Sequence, residues 1–242
     1  AARNEAIDPV PVKSREQQAV TALHRIRSAY VADRTARINT VRGILREFGH
    51  AIPLGARTFP ARARAALDDE RIPAELRGAL AQALDEIATL QGKARDLTAQ
   101  FERLADHMPA VQHLLSVPGI GPITATALVA FVGDVRRFPS GRHFASYIGL
   151  TPRESSSGFK RRLGHVSKRG NTYLRMLLTH GARSVLNAAR RTKEPDSLQV
   201  WALATQLRRG HNVATIALAN RLARIAWRVW RDERPYERRL TP

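Results

Sequence analysis

The stretch TPRESSSGFKRRLGHVSKRGN, residues 151–171, sets three consecutive serines and a glycine before a crowd of cations with one acid, Glu154. Its turn residues and missing apolar period interrupt a chain that otherwise reads as helix. The basic field extends outward. Between Arg136 and Lys193 there are 14 lysines and arginines, and Glu154 is again the only acid. A surface built only for solubility mixes signs. Arginine dominates here, and its planar fork suits bidentate contact with phosphate. Within this field Arg153, Lys160, Arg161, Arg162, Lys168, Arg169 and Arg175 are the candidate phosphate contacts. Ser155, Ser156 and Ser157 offer hydroxyls on a flexible turn within reach of guanidinium groups, which can stabilise an alkoxide and the charge of a five-coordinate phosphorus. Ser-Ser-Gly is equally ordinary loop vocabulary.

The whole composition agrees with a polyanionic partner. Lys and Arg number 40 against 21 Asp and Glu in 242 residues, a formal charge of +19 with a pI near 11.6. Each neutralised phosphate would release condensed counterions, so nucleic acid is the expected partner. No segment approaches the roughly 20 apolar residues a bilayer span requires. Cysteine is absent, which removes a disulfide framework and thiolate metal sites and fits a reducing, cytoplasmic setting. Metal chemistry needs several convergent carboxylates. The basic region has one, and His143, His165 and His180 lack ligand-like spacing, so no metal site is expected from this chain.

The fold expected is all-α. Residues 1–13, with Pro9 and Pro11, read as an extended lead-in. Ser14-Arg15-Glu16-Gln17 has the form of a capping box. Val20, Leu23, Tyr30, Ile38, Val41, Leu45 and Phe48 then mark one face of a long helix ending at Gly49. Pro53, Gly55 and Pro60 mark a connector. A stricter stripe follows: Leu80, Ala83, Ile87, Leu90, Ala94, Leu97, Phe101 and Leu104 recur at heptad-like spacing. Residues 14–107 thus predict a helical hairpin or a coiled coil that associates protomers. From Met108 the helices shorten and glycine and proline recur, placing a boundary there. Residues 108–242 are expected to form a compact helical domain. It would carry one irregular or hairpin segment at 150–167 and a last helix from about Asn212 to Trp230.

Residues 111–129, VQHLLSVPGIGPITATALV, carry a second motif. An apolar helix runs into Pro118-Gly119-Ile120-Gly121, and another begins near Pro122. This resembles a helix-hairpin-helix. Gly119 and Gly121 would bring bare backbone N–H groups near a phosphate, and the next helix would add its unpaired N-terminal donors. Ile120 would turn inward. A tight turn between two packed helices, with no ligand, has the same pattern.

The two motifs occur in order and at close spacing: LLSVPGIGPITATALVAFVGDVRRF, FASYIGLTPRESSSG, then RRLGHVSKRGNTYLRMLL. Together they resemble the C-terminal half of the IS-one-ten insertion-sequence transposases, also called DEDD transposases, over about residues 9–236. The resemblance implies a DNA recombinase that excises and inserts a mobile element, some members being guided by a structured RNA. Its members join a resolvase-like domain with a metal-binding acidic tetrad to a helical domain bearing an essential serine. That serine stands before the glycine, five residues after the proline, which is Ser157. Ser167, Lys168, Gly170, Asn171 and Arg175 match the next block, with Gly170 and Asn171 expected to shape a helix start. The acidic tetrad would precede Ala1, and Asn4-Glu5-Ala6-Ile7-Asp8 does not reproduce its final aspartate pair. The expectation is therefore a truncated transposase that binds no cofactor itself, magnesium coming with the acidic domain. Its rivals are a catalytically silent nucleic-acid-binding remnant and a helix-hairpin-helix module of DNA repair.

Overall fold

The computed structural model describes residues 12–238, so most of the expected lead-in, including Asn4 to Asp8, lies outside the described residues. The chain divides into two compact units. One is Thr21–Gln100; the other takes the segment up to Val20 together with everything from Phe101. Helix dominates both, and the described residues contain one sheet, of two short strands.

The Thr21–Gln100 unit is built from most of α1 (Arg15–Glu47) and α3 (Ala74–Asp106), with a short α2 (Phe59–Ala66) inside the expected connector. α1 begins where the capping box predicts. Ser14 Oγ accepts from the Gln17 amide at 3.2 Å, and Gln17 Oε1 accepts from the Ser14 amide at 3.1 Å. It ends through Gly49 at φ +84°, with the His50 amide donating back to Leu45 at 2.9 Å. The two long helices run antiparallel. Arg27 donates to Thr98, Arg34 to Gln91, and Arg37 pairs with Glu86 at 2.9 Å.

Within the Thr21–Gln100 unit the apolar stripes meet in one buried cluster. There Ile38, Val41 and Leu45 meet Leu80, Leu84 and Ile87, and Phe59, Ala63 and Ile72 close the gap. Each of the Val, Leu, Ile and Phe side chains contributes about 1.5–3 kcal/mol on full burial. α2 is therefore part of that core, although its proline-flanked sequence reads as a connector. Arg71 grips Asp69 through both carboxylate oxygens just before α3, at 3.0 and 2.8 Å, and holds that carboxyl well below the usual carboxylate range.

The second unit carries α4 (Pro109–Leu115), α5 (Pro122–Val132), a 3₁₀ turn (Val135–Arg137) and α6 (Gly141–Ile148). After them come β1 (Pro152–Glu154), β2 (Leu163–Val166), α7 (Thr172–Ala189), α8 (Ser197–Arg209) and α9 (His211–Asp232). Its centre is α9, against which α6, α7 and α8 pack. Of the stripe the sequence offers on α9, Ile216, Ala219, Ala223, Ala226 and Trp230, the last four are buried and Ile216 is only half-buried; Ala214, Leu218, Leu222 and Val229 join the buried face. Small residues along that face let three neighbours approach closely.

Helix starts are written in side chains. Asn171 caps α7 by accepting from the Leu174 amide at 3.1 Å, and Asp196 and Gln199 form a reciprocal box at the head of α8. Two α9 side chains anchor the loops ahead of the serine-bearing segment. Trp227 Nε1 donates to the Phe138 carbonyl and Asn220 Nδ2 to the Leu150 carbonyl, each at 3.2 Å. No described helix is long and apolar enough to cross a membrane.

Candidate nucleic-acid interface and serine hairpin

The segment expected to be irregular is an antiparallel β-hairpin standing out from the helices, every residue from Pro152 to His165 being exposed. Two glycines fix its base. Gly149 closes α6 at φ +80°, and a Cβ there would lie 1.8 Å from the Arg169 carbonyl oxygen. Gly170 precedes the α7 cap at φ +88°, and its Cβ would lie 1.9 Å from the Tyr147 carbonyl oxygen. The chain entering the hairpin and the chain leaving it therefore cross in backbone contact, which only glycine permits. Arg175 clamps the crossing, donating to the Ile148 carbonyl at 3.0 Å, the Arg169 carbonyl at 3.3 Å and Thr172 Oγ1 at 3.1 Å. Three of its five donors thus serve the fold rather than an open surface. Lys168 takes a positive φ of 55° in the same crossing.

The register decides which side chains share a face. Pro152 opposes Val166 and Glu154 opposes Leu163, so β2 carries one extra residue, a bulge near the base. Beyond it the Ser155 amide donates to Arg162 at 2.9 Å, and Ser157 pairs with Lys160 across the tip. Side chains alternate along each strand. Arg153, Ser155, Ser157, Lys160 and Arg162 therefore share one face, and Glu154, Ser156 and Arg161 share the other.

On that second face the lone acid is engaged. Ser156 Oγ donates to Glu154 Oε1 at 2.7 Å, and Arg161 Nε lies 3.4 Å from the same oxygen. Ser156 Oγ also accepts from the Arg162 amide at 3.1 Å. Ser157 thus stands exposed on the cationic face, screened from the carboxylate by the ladder itself, while Ser156 is tied into the hairpin.

The glycine turn has two faces as well. Gly119 has φ +80°, and a Cβ on it would lie 2.6 Å from the Gly181 carbonyl oxygen of α7 and 2.8 Å from Val185. Its lack of a side chain seats the turn on α7 rather than clearing room for a ligand. Ile120 is 4% exposed and turns inward. Gly121 is different: it is exposed, with φ −96° and nothing within 4 Å of a Cβ. It is the N-cap of α5, no side chain caps that helix, and Pro122 follows. The donors expected to face a phosphate are thus at Gly121 and the first turn of α5.

Among the described residues no group of three or more His, Asp or Glu side chains could hold a metal ion. Near Ser157 the one carboxylate, Glu154, is committed to Ser156 and Arg161. Magnesium therefore does not fit the donor set of the hairpin. Sequence reasoning missed the Gly149–Gly170 crossing, the Arg175 clamp and an unpacked aromatic ring at Phe159. Only the last had a visible signal, an apolar residue inside a run of cations.

Fold and site define a basic, helix-built protein that presents a cationic serine hairpin and a separate glycine turn. The family model for the transposases of the IS116/IS110/IS902 family matches residues 111–196, which span both the turn and the hairpin. A probable family 20 transposase of Pseudomonas aeruginosa is 42% identical over 98% of this chain and 70% of its own length. The transposase for insertion sequence element IS1111A of Coxiella burnetii is 37% identical over 93% of this chain and 62% of its own. A pilin gene-inverting protein of Moraxella bovis is 28% identical over 64% of this chain and 49% of its own. The chain belongs to this transposase family, and it spans between about half and 70% of these relatives.

Proposed function

We propose that this chain binds DNA through its basic hairpin and glycine turn, and that Ser157 is the nucleophile of a strand-transfer reaction. The observation that carries the reading is the face shared by Ser157 with Arg153, Lys160 and Arg162, opposite to Glu154. An exposed hydroxyl amid unopposed cations can approach a phosphodiester, and its neighbours can hold the charge that develops on phosphorus. In that step a P–O bond forms to Ser157 Oγ while the bond to one deoxyribose oxygen breaks. The serine proton leaves to solvent, and the departing oxygen takes one up. Attack by a second strand's hydroxyl on the phosphoserine link reverses the exchange and frees the serine. The relatives' names, transposases and a pilin gene-inverting protein, support the recombinase part of this reading and do not bear on the nucleophile.

Gly121 and the head of α5 would hold a backbone phosphate, and the hairpin cations would hold those flanking the cut. Gly119 and Ile120 serve the same turn from its packed side. A structured guide RNA would be held by the same phosphate chemistry, and the long helices are the surface through which protomers would associate. Any magnesium would come with acidic residues outside this hairpin, and no step here runs through it.

The test is a suicide substrate whose nicked strand traps a protein–DNA adduct. The expected adduct maps to Ser157 by mass spectrometry and disappears in Ser157→Ala, while that variant keeps its DNA affinity. One observation favours a silent binding module instead: among the described residues no base hydrogen-bonds to Ser157 Oγ. Such a module would give no adduct in the wild type.

A further inference from the structure

The ring of Phe159 is 112% exposed at the very tip of the hairpin. It follows Gly158, whose φ of +56° gives the two-residue turn a positive φ at its first central position only, a II′-like pattern. The second position of such a turn asks for a small polar residue, so the ring is not there for the turn. It does not pack either: among the described residues no apolar side chain buries it and no cation covers it, although Lys160, Arg161 and Arg162 follow directly. Every other phenylalanine, tyrosine and tryptophan ring of the described residues is at least partly packed; the next most exposed, Tyr147, is 38% exposed and packs at a tilt against Phe138. An unpacked phenyl on a hairpin of cations, two residues from Ser157, has the chemistry of a base-stacking wedge.

We infer that Phe159 stacks on a nucleobase next to the phosphate that Ser157 attacks, holding that base out of its neighbour's stack and so fixing which phosphate meets the hydroxyl. The placement rests on the nucleophile reading, but the stacking does not. The cations on the ladder would hold the backbone while the ring, projecting past them, reaches a base. Stacking is indifferent to base identity, so the ring positions rather than selects, and it needs an unpaired or easily unstacked base. A protein partner for the ring is disfavoured by its setting: apart from Leu163, which sits opposite Glu154 toward the base, the side chains around it on both faces of the hairpin between Arg153 and Arg162 are charged or polar.

The experiment uses a DNA duplex with a short single-stranded gap, an RNA of the same sequence, and 5-iodouracil placed in turn at each unpaired position. Irradiation is expected to attach one position to Phe159, identified by mass spectrometry, with the RNA arm telling whether the base belongs to DNA or RNA. Phe159→Ala should bind the gapped duplex roughly 5- to 100-fold more weakly, with Phe159→Trp restoring affinity. Melting curves of the variants should be unchanged, because the ring is fully exposed. The Phe159 crosslink should persist in Ser157→Ala. A crosslink at Phe159 without a serine adduct in wild type would retain the stacking and remove the nucleophile; an adduct without the crosslink would do the reverse. Unchanged affinity in Phe159→Ala overturns the inference, and so does an altered sedimentation coefficient with intact DNA binding, which would make the ring a protein contact.

Discussion

Gly119 and Gly121 look alike in the sequence, two residues apart in one turn, and the structure gives them opposite surroundings. A methyl on Gly119 would meet the Gly181 carbonyl at 2.6 Å while its backbone sits at positive φ, so Gly119→Ala should cost roughly 2–4 kcal/mol in urea unfolding. Gly121→Ala meets nothing and has an ordinary φ; its stability should shift by no more than about 0.5 kcal/mol. If backbone donors at Gly121 approach a phosphate, the same methyl should weaken DNA binding several-fold in an anisotropy titration. Equal affinity would leave the turn purely structural. A third residue titrates the other unit. His24 is fully buried in α1, and burial, reinforced by Arg27, pushes its imidazole down to about 4. Between pH 6.5 and 4 the unfolded chain therefore takes up a proton that the folded chain refuses. Stability should be fully present above 6.5 and fall as pH drops toward 4, by roughly 3 kcal/mol in all. His24→Gln should flatten that slope in melts taken across the range.

The hairpin shows what an element needs beyond its own strands. Residues 151–167 could be recognised as an irregular or hairpin segment because serines, glycines and cations there keep no apolar period. The register was not legible: the two-residue turn at Gly158 sets the pairing only as far as Glu154–Leu163, and the bulge shifts it at Pro152–Val166. Its attachment was not legible. Gly149 and Gly170 stand 21 positions apart, each plausible as a helix punctuator, and only folding brings each against the other's chain. The Arg175 clamp was hidden for a related reason: an arginine in a basic run reads as a surface cation, whereas its partners are carbonyls at Ile148 and Arg169. α2 was missed because Pro60 reads as a breaker, although proline at the start of a helix loses no hydrogen bond. The capping box at Ser14 and the α9 stripe were readable because both are local patterns. The crossing carries a prediction. Gly149→Ala places a methyl 1.8 Å from a carbonyl oxygen and should destabilise the protein by roughly 3 kcal/mol or more. Limited trypsin digestion should cut it faster at Lys160 to Arg162 than wild type, because the hairpin loses its footing. Digestion at an unchanged rate would mean that the crossing does not hold the hairpin.

Charge is distributed over the molecule in a way that separates two jobs. Residues 14–107 carry 15 lysines and arginines against 12 acids, a nearly balanced surface laced with pairs such as Arg37–Glu86. Residues 108–242 carry 23 against 7. A balanced helical hairpin can meet another protein surface without repulsion, whereas the excess on the second region has no counterpart within the chain. If that excess holds DNA, the binding constant must fall steeply with salt, since each neutralised phosphate releases about 0.9 counterion. The exposed cations of the hairpin and its flank are Arg153, Lys160, Arg161, Arg162, Lys168 and Arg169. Six phosphate contacts correspond to a slope of about −5 in log K against log salt, or roughly a thousandfold loss between 50 and 200 mM. Alanine at Arg153, Lys160 or Arg162 should each flatten the slope by about one. Arg175→Ala should not, because the guanidinium is engaged with Ile148, Arg169 and Thr172; it should instead lower stability by about 1–3 kcal/mol through the carbonyls it leaves without a donor. Anisotropy titrations at four salt concentrations distinguish the two classes of arginine. A shallow slope in wild type, near −1, would mean that the cationic face is not where DNA lies, and Ser157 would lose the neighbours that give its hydroxyl a target.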